Sequence, residues 1–421
     1  MKTPFFAIFF AFSATLTTAQ EALSIDECRR LALENSPLQV RKGYAERTAS
    51  LQNETLKRNN LPRIGVNAQA SWQSDVFELP FDIPSNPTPV VIPKDQYKIS
   101  LDVSQRIWDG GYDKINARQH VLNSTLTAAQ TDVDIFSLRE TVTDLFFRVL
   151  LLQESERILL STQQTLEQRL RQTEAQVNLG VSLRTAADQI RIQLQQNRQQ
   201  VAAVRIDQQT LKQVLGGWIG RPDGAFTLSA DDLKGAWAET ATTRPEYAML
   251  EVQKNLIESQ DDALKLHLQP RVEAFGQGGF GQPNPLNFFE TDFAPFALVG
   301  IRASWSPTDW GVSKRRSEVL TLQAMSLDAQ RAALDQRIEA ANRKDRGDFA
   351  KSQSLLQDDD AIIALQEDIV RRAEAQVDNG VMTTTDYLAQ VNLLTQARLT
   401  RKTHEIQGLQ AIEMHKARNS E

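Results

Sequence analysis

Residues 112–179 read YDKINARQHVLNSTLTAAQTDVDIFSLRETVTDLFFRVLLLQESERILLSTQQTLEQRLRQTEAQVNL, set between Gly111 and Gly180. Glycine and proline are the main helix breakers, and neither occurs in the stretch. Roughly 70 residues without either allow one unbroken helix, about 100 Å long at 1.5 Å per residue. A rod of that length exceeds any globular core, so the spacing predicts an elongated protein. From Gly311 to Gly380 the same pattern recurs, interrupted only by Gly347.

The recurrence is a duplication. Glu174-Ala175-Gln176-Val177 returns as Glu374-Ala375-Gln376-Val377, and Gly180-Val181 as Gly380-Val381. Asp109, Gly111 and Lys114 return as Asp309, Gly311 and Lys314, all at one offset, while Pro62-Arg63 matches Pro270-Arg271 with slack taken up in the loops. Beyond Gly180 a second helix returns. Leu183, Ala187, Ile190, Leu194, Asn197, Val201, Val204, Gln208, Leu211 and Leu215 keep the alternating four-and-three spacing of a coiled-coil seam. Gly180 and Gly380 therefore mark the tips of two helical hairpins. The expected organisation is a leader at 1–19, a first repeat at 20–216, a linker at 217–244 and a second repeat at 245–421.

Each repeat also carries strands. Ile64, Val66, Ala68, Ala70 and Trp72 alternate with polar residues, and so do Tyr97, Ile99, Leu101 and Val103 beyond a loop holding Pro80, Pro84, Pro87, Pro89 and Pro93. Period two over about ten residues predicts a strand with one apolar and one polar face. In the second repeat Val272, Ala274, Gly276 and Gly278 lead to Phe280, and Val299, Ile301 and Ala303 lead to Trp305, with Phe288, Phe289 and Phe293 in a long loop between. The expected fold is mainly α with a small β part. Tilted strands of this length cross a bilayer, but four of them cannot close a barrel, and open edges do not survive in lipid. Two chains would supply eight strands and three would supply twelve. Trp72, Phe77, Tyr97, Trp108, Tyr112, Trp305 and Trp310 lie near the strand ends, where an interfacial aromatic belt would sit.

The chain opens Met1-Lys2, then runs apolar from Phe5 to Phe12 and small up to Ala19, the pattern of a secretory signal peptide and too short to span a bilayer. The lone cysteine, Cys28, excludes an internal disulfide. It follows acidic Asp26-Glu27 rather than the small residues a lipid-attachment site requires, which leaves a buried or idle thiol. A net charge of −6 with well-mixed signs argues against nucleic acid as a partner.

With these residues in view, the chain resembles the outer-membrane efflux proteins, or TolC-like channels. The features that carry the resemblance run in order: Leu23-Ser24-Ile25-Asp26-Glu27, Ala32 through Pro37, Leu61-Pro62-Arg63, Trp108-Asp109-Gly110-Gly111, Arg244-Pro245-Glu246 and the paired Gly-Val tips. The resemblance implies a homotrimer in the outer membrane, its four strands per chain forming a twelve-stranded barrel continued by a long antiparallel coiled-coil helical barrel reaching across the periplasm. It implies a periplasmic adaptor (membrane fusion) protein meeting Gly180, Val181, Gly380 and Val381, and an inner-membrane transporter. The assembly would export small molecules or polypeptides, by tripartite efflux or type I secretion. It also implies a pore constriction six positions beyond the second tip glycine, which here is Asp386. Ala389, Met382 and Ala186 depart from the family's pattern of charges around that constriction, and Asp188 is out of register with it.

Nothing in the sequence points to an enzyme or a cofactor. His120, His267, His404 and His415 lack metal-ligand spacing, Cys28 has no neighbouring histidine, and no Gly-x-Ser-x-Gly or phosphate loop occurs. Asp358-Asp359-Asp360 fan out at about 100° per residue and read as a solvated helix face. The competing reading is a soluble periplasmic coiled-coil scaffold whose strands form a docking sheet.

Overall fold

The computed structural model of the protein describes residues 22–76, 92–230, 233, 236–239, 242–287 and 290–419. The leader, Phe77, most of the proline-rich loop, Phe288 and Phe289 lie outside these residues. The order is β1 (Ala22–Leu23), α1 (Ile25–Glu34), α2 (Gln39–Asn59), β2 (Arg63–Trp72), β3 (Asp95–Trp108), α3 (Tyr112–Asn178), α4 (Arg184–Ile219), β4 (Thr227–Leu228), α5 (Pro245–Leu266), β5 (Arg271–Gln282), β6 (Ala294–Ser304), α6 (Val312–Asp378) and α7 (Thr384–Asn419).

The duplication fixes helix length to the residue. α3 and α6 have 67 residues each, and α4 and α7 have 36 each. Gly347 lies within α6 without breaking it, with open space where a side chain would start. Each long helix begins at an Asp-x-Gly turn. The Asp109 carboxylate accepts from the Gly111 amide at 2.9 Å and the Asp113 amide at 2.7 Å. Asp309 repeats this with Gly311 at 3.0 Å and Ser313 at 2.6 Å. Both satisfy amides that a helix start leaves without partners. Burial pushes the Asp109 carboxyl up, but the Asp113 and Gly111 amides and the nearby Arg106 outweigh it and hold the group below the ordinary value.

The chain divides into two compact units, each drawing on both repeats. The first comprises the described parts of Met1–Pro37, Asp134–Arg244 and Asp335–Glu421. Its main core packs Leu23, Ile25 and Cys28 of the N-terminal segment against Phe146, Phe147 and Leu215. Ser24 caps α1, accepting from the Glu27 amide at 3.3 Å. Arg29 binds Thr143 and pairs with the buried Glu413 of α7 at 2.9 Å, which ties the chain's two ends together. Cys28 is fully buried, and that burial pushes its thiol up to about 12, so it is inert as a nucleophile.

On α4 the expected seam is present. Ala187, Ile190, Leu194, Asn197, Val201 and Leu215 are buried, and Val204, Gln208 and Leu211 are half-buried. Leu183 is the exception. It is the N-cap residue of α4, outside the helix, and stands exposed.

The second unit, Leu38–Val133 with Pro245–Leu334, contains the four-stranded sheet, ordered β2-β3-β5-β6 and antiparallel throughout. A register shift between Arg106 and Trp108 marks a bulge where β3 nears its end. β6 begins at Ala294, five residues before the alternation becomes readable at Val299, because Phe296 and Leu298 put apolar side chains on the otherwise polar face.

Candidate functional site: hairpin tips and an inverted sheet

Both tips close by the same backbone device. In the first, Gly180 donates to the Val177 carbonyl at 3.0 Å and Val181 to Gln176 at 2.9 Å; in the second, Gly380 donates to Val377 at 3.0 Å and Val381 to Gln376 at 2.8 Å. This paired bonding is a Schellman closure, which needs a left-handed residue at the glycine position. Gly180 has φ +74° and Gly380 φ +70°. Val181 and Val381 project with 78% and 77% of their surface exposed, next to an equally bare Leu179 and Leu183. The tips therefore present apolar side chains to solvent on a rigid turn.

Past the second tip, the Thr383 side chain caps the start of α7. Its hydroxyl accepts from the Asp386 amide at 3.2 Å and donates to the Asp386 carboxylate at 2.7 Å. Asp386 is exposed. The equivalent first-tip position, Ala186, has no such group, and Asp188 instead pairs with Arg191, which also binds Glu174 at 2.6 Å.

Immediately behind the second tip lies a group the sequence did not single out. Arg169 of α3 is 3% exposed, pairs with Asp378 of α6 at 2.8 Å, and places its guanidinium 5.3 Å from the ring centroid of the buried Tyr387 on α7. Leu166, Ile190, Ala373 and Leu388 pack around it, so α3, α4, α6 and α7 share one apolar cluster. A sequence signal for it does exist. Position 169 is Arg where the second repeat has Ile369, and 387 is Tyr where the first has Ala187. The two partners sit where the copies disagree.

The sheet is inverted relative to a soluble one. Along β3, Tyr97, Ile99 and Leu101 are 46%, 46% and 49% exposed, whereas Ser100 between them is 3% exposed. Ile64, Val66, Val299 and Ile301 extend the exposed apolar face. On the opposite face Asp102 accepts from Asn67 and Gln277, and Ser100 donates to it at 3.3 Å. Soluble antiparallel sheets bury the apolar face and wet the polar one. Trp72, Trp108, Trp305 and Trp310 stand exposed near the strand ends.

Other candidates do not converge. Asp359 corrects the expectation of a solvated acidic face, since it is buried and bonded to the His404 ring at 2.6 Å, while Asp360 pairs with Arg401 at 2.6 Å. Among the described residues no group of three or more His, Cys, Asp or Glu is placed to hold a metal. No described helix is long and apolar enough to cross a membrane.

Two long helical hairpins and a small antiparallel sheet form a fold shared with solved outer-membrane channels. The likeness to solved structures bears this out: the Vibrio cholerae outer membrane protein VceC aligns with a TM-score of 0.65 at 12% identity, covering 93% of this chain and 95% of that one. The outer-membrane channel OprN gives 0.66 at 16%, covering 93% and 89%, and the Neisseria gonorrhoeae MtrE channel 0.64 at 15%, covering 93% and 88%. Residues 29–221 match the family described as outer membrane efflux protein, which bears out the resemblance read from the sequence. No curated protein matches the chain by sequence.

Proposed function

We propose that the chain is one of three identical subunits of an outer-membrane export channel, following the organisation of leader 1–19, repeats 20–216 and 245–421, and linker 217–244. The observation that carries this reading is the inverted sheet together with its two edges. The strand order begins at β2 and ends at β6, and among the described residues neither outer edge is paired. An apolar outer face suits lipid, and lipid demands that those edges be closed by strands from other copies. Three copies supply twelve strands, a size seen among transmembrane barrels. The helices, too polar for lipid, would stand in the periplasm. Their tips would meet an adaptor and, through it, an inner-membrane transporter, with Asp386 from each subunit at the constriction.

The soluble-scaffold alternative would have the same apolar face covered by a protein partner. Cell fractionation separates the two readings. We expect the full chain in the outer-membrane fraction, migrating as an oligomer that dissociates on heating. Recovery in the soluble periplasmic fraction overturns the channel reading.

A further inference from the structure

Where the sheet gives way to the helices, the second repeat holds a cavity of about 330 Å³. Arg271 opens β5 and stands opposite Ser304 of β6, and His267 before β5 and Arg316 in the first turns of α6 complete the cationic part of the wall. Ser304, Ser306 and Thr308 bring hydroxyl groups to it. All six residues are exposed, so the cavity is open. The Arg271 guanidinium lies 5.7 Å from the Tyr112 ring centroid, a contact that engages no acceptor oxygen. Among the described residues neither Arg271 nor Arg316 forms an ion pair. Asp309 is the single carboxylate in the wall, and its two oxygens already accept from the Gly311 and Ser313 amides.

The matching junction of the first repeat is built differently. From Arg106 to Asn116 it has two basic and two acidic residues, and Arg106 is neutralised by Asp113 at 3.3 Å and Asp109 at 3.9 Å. From Ser306 to Arg316 the second repeat has three basic residues and one acidic. Ser313 stands where the first has Asp113, and Arg315-Arg316 where it has Ile115-Asn116. The turn differs too. Gly110 has φ +74°, and its counterpart Trp310 keeps a left-handed backbone at φ +56°, a region that favours glycine. That residue is 89% exposed, so little packing offsets the conformational cost. Trp305 is also exposed and donates from Nε1 to the Leu268 carbonyl at 2.9 Å, which fixes a second indole beside the cavity.

We infer that this cavity binds the phosphate of an anionic phospholipid. Arg271 and Arg316 donate charge-assisted bonds to its oxygens, and the hydroxyls of Ser304, Ser306 and Thr308 serve the remaining lone pairs. A free phosphate would satisfy the same donors. The two tryptophans favour the lipid, because exposed indoles suit the headgroup level of a bilayer, where such rings collect. The inference rests on the channel reading, which sets this end of the strands at that level.

The test is native mass spectrometry of the full chain in detergent with equal amounts of palmitoyl-oleoyl phosphatidylglycerol and phosphatidylcholine, matched in acyl chains and different in net charge. Phosphatidylglycerol should be retained about tenfold over phosphatidylcholine. Arg271→Gln with Arg316→Gln should bring the ratio near one, while Lys114→Gln at the first junction should leave it unchanged. Trp310→Gly, which restores the residue of the first repeat, should lower retention of both lipids alike. Equal retention by the unmodified chain overturns the inference, and so does an unchanged ratio in a double variant that keeps the parent's thermal midpoint. Calorimetry with inorganic phosphate separates the two sources. Weak phosphate binding beside selective lipid retention supports the lipid. Phosphate binding that the double variant loses, without lipid selectivity, assigns the cavity to a free anion and overturns the inference. Cell fractionation is read independently: a chain in the outer membrane with no lipid preference overturns this site alone, whereas a soluble chain overturns the channel and the lipid source together.

Discussion

Single residues at the tips divide cleanly into those that shape the backbone and those that carry charge. At Gly180 and Gly380 nothing lies within 4 Å of where a side chain would begin, and φ is positive at both. Alanine at either position therefore meets no clash, and the cost is conformational alone, about 1 kcal/mol. Hydrogen exchange at Val181 or Val381 should accelerate about fivefold in Gly180→Ala or Gly380→Ala, with the rest of α3 and α6 unmoved. Asp386 and Thr383 separate two roles that overlap in space. Asp386→Asn keeps an acceptor for the Thr383 hydroxyl and removes only the charge, so it should lower cation preference in reversal-potential measurements without loosening α7. Thr383→Val keeps the charge and removes the cap, at about 1 kcal/mol. It should fray the first turn of α7 and leave selectivity alone. An Asp386→Asn channel with unaltered selectivity would assign that carboxylate to capping only.

Among the elements, bonds within a hairpin and bonds between hairpins follow different rules. Arg198 pairs with Glu167 at 2.9 Å in the first hairpin, and Arg398 with Glu367 at 2.7 Å in the second, so the duplication preserved this link. Arg169 is instead a contact between hairpins, made with residues of α6 and α7. Replacing it by methionine keeps the stem and removes both the pair to Asp378 and the stacking on Tyr387. Asp378 is nearly half exposed, so no buried charge is stranded, and we expect a loss of about 1–2 kcal/mol. Thermal unfolding of Arg169→Met would register it, and an unchanged midpoint would show the contact to be energetically idle. This difference also explains what was legible in the sequence. The Gly-Val tips and Asp-x-Gly turns were readable because their bonding is local and written twice. The α4 seam was readable because one periodic helix face is buried. The Arg169–Tyr387 contact was not, since it joins residues more than two hundred positions apart at sites where the copies differ. The start of β6 was hidden for another reason: Ala294-Pro295-Phe296-Ala297-Leu298 is apolar on both faces and shows no period of two.

For the molecule as a whole, on the proposed reading, the open edges of the sheet make folding in lipid and assembly a single problem. The mass in detergent should be close to three times that of the chain without its leader. A stable monomer that retained its strands would contradict the proposed assembly, because backbone groups at β2 and β6 would then face hydrocarbon.

The matched lengths of α3 with α6 and of α4 with α7 bear on how such a chain can diverge. The same fold is built by sequences only 12–16% identical to this one. An inserted or deleted residue is another matter, because slipping one helix would misalign the Glu167–Arg198 rung and the apolar cluster at once. Length is thus inherited as a joint trait of four helices. A seven-residue deletion in α3 alone should abolish assembly, whereas removing one heptad from all four at corresponding heights should give a shorter channel that still assembles. The chain acts as its own gauge, tolerant in composition and strict in measure.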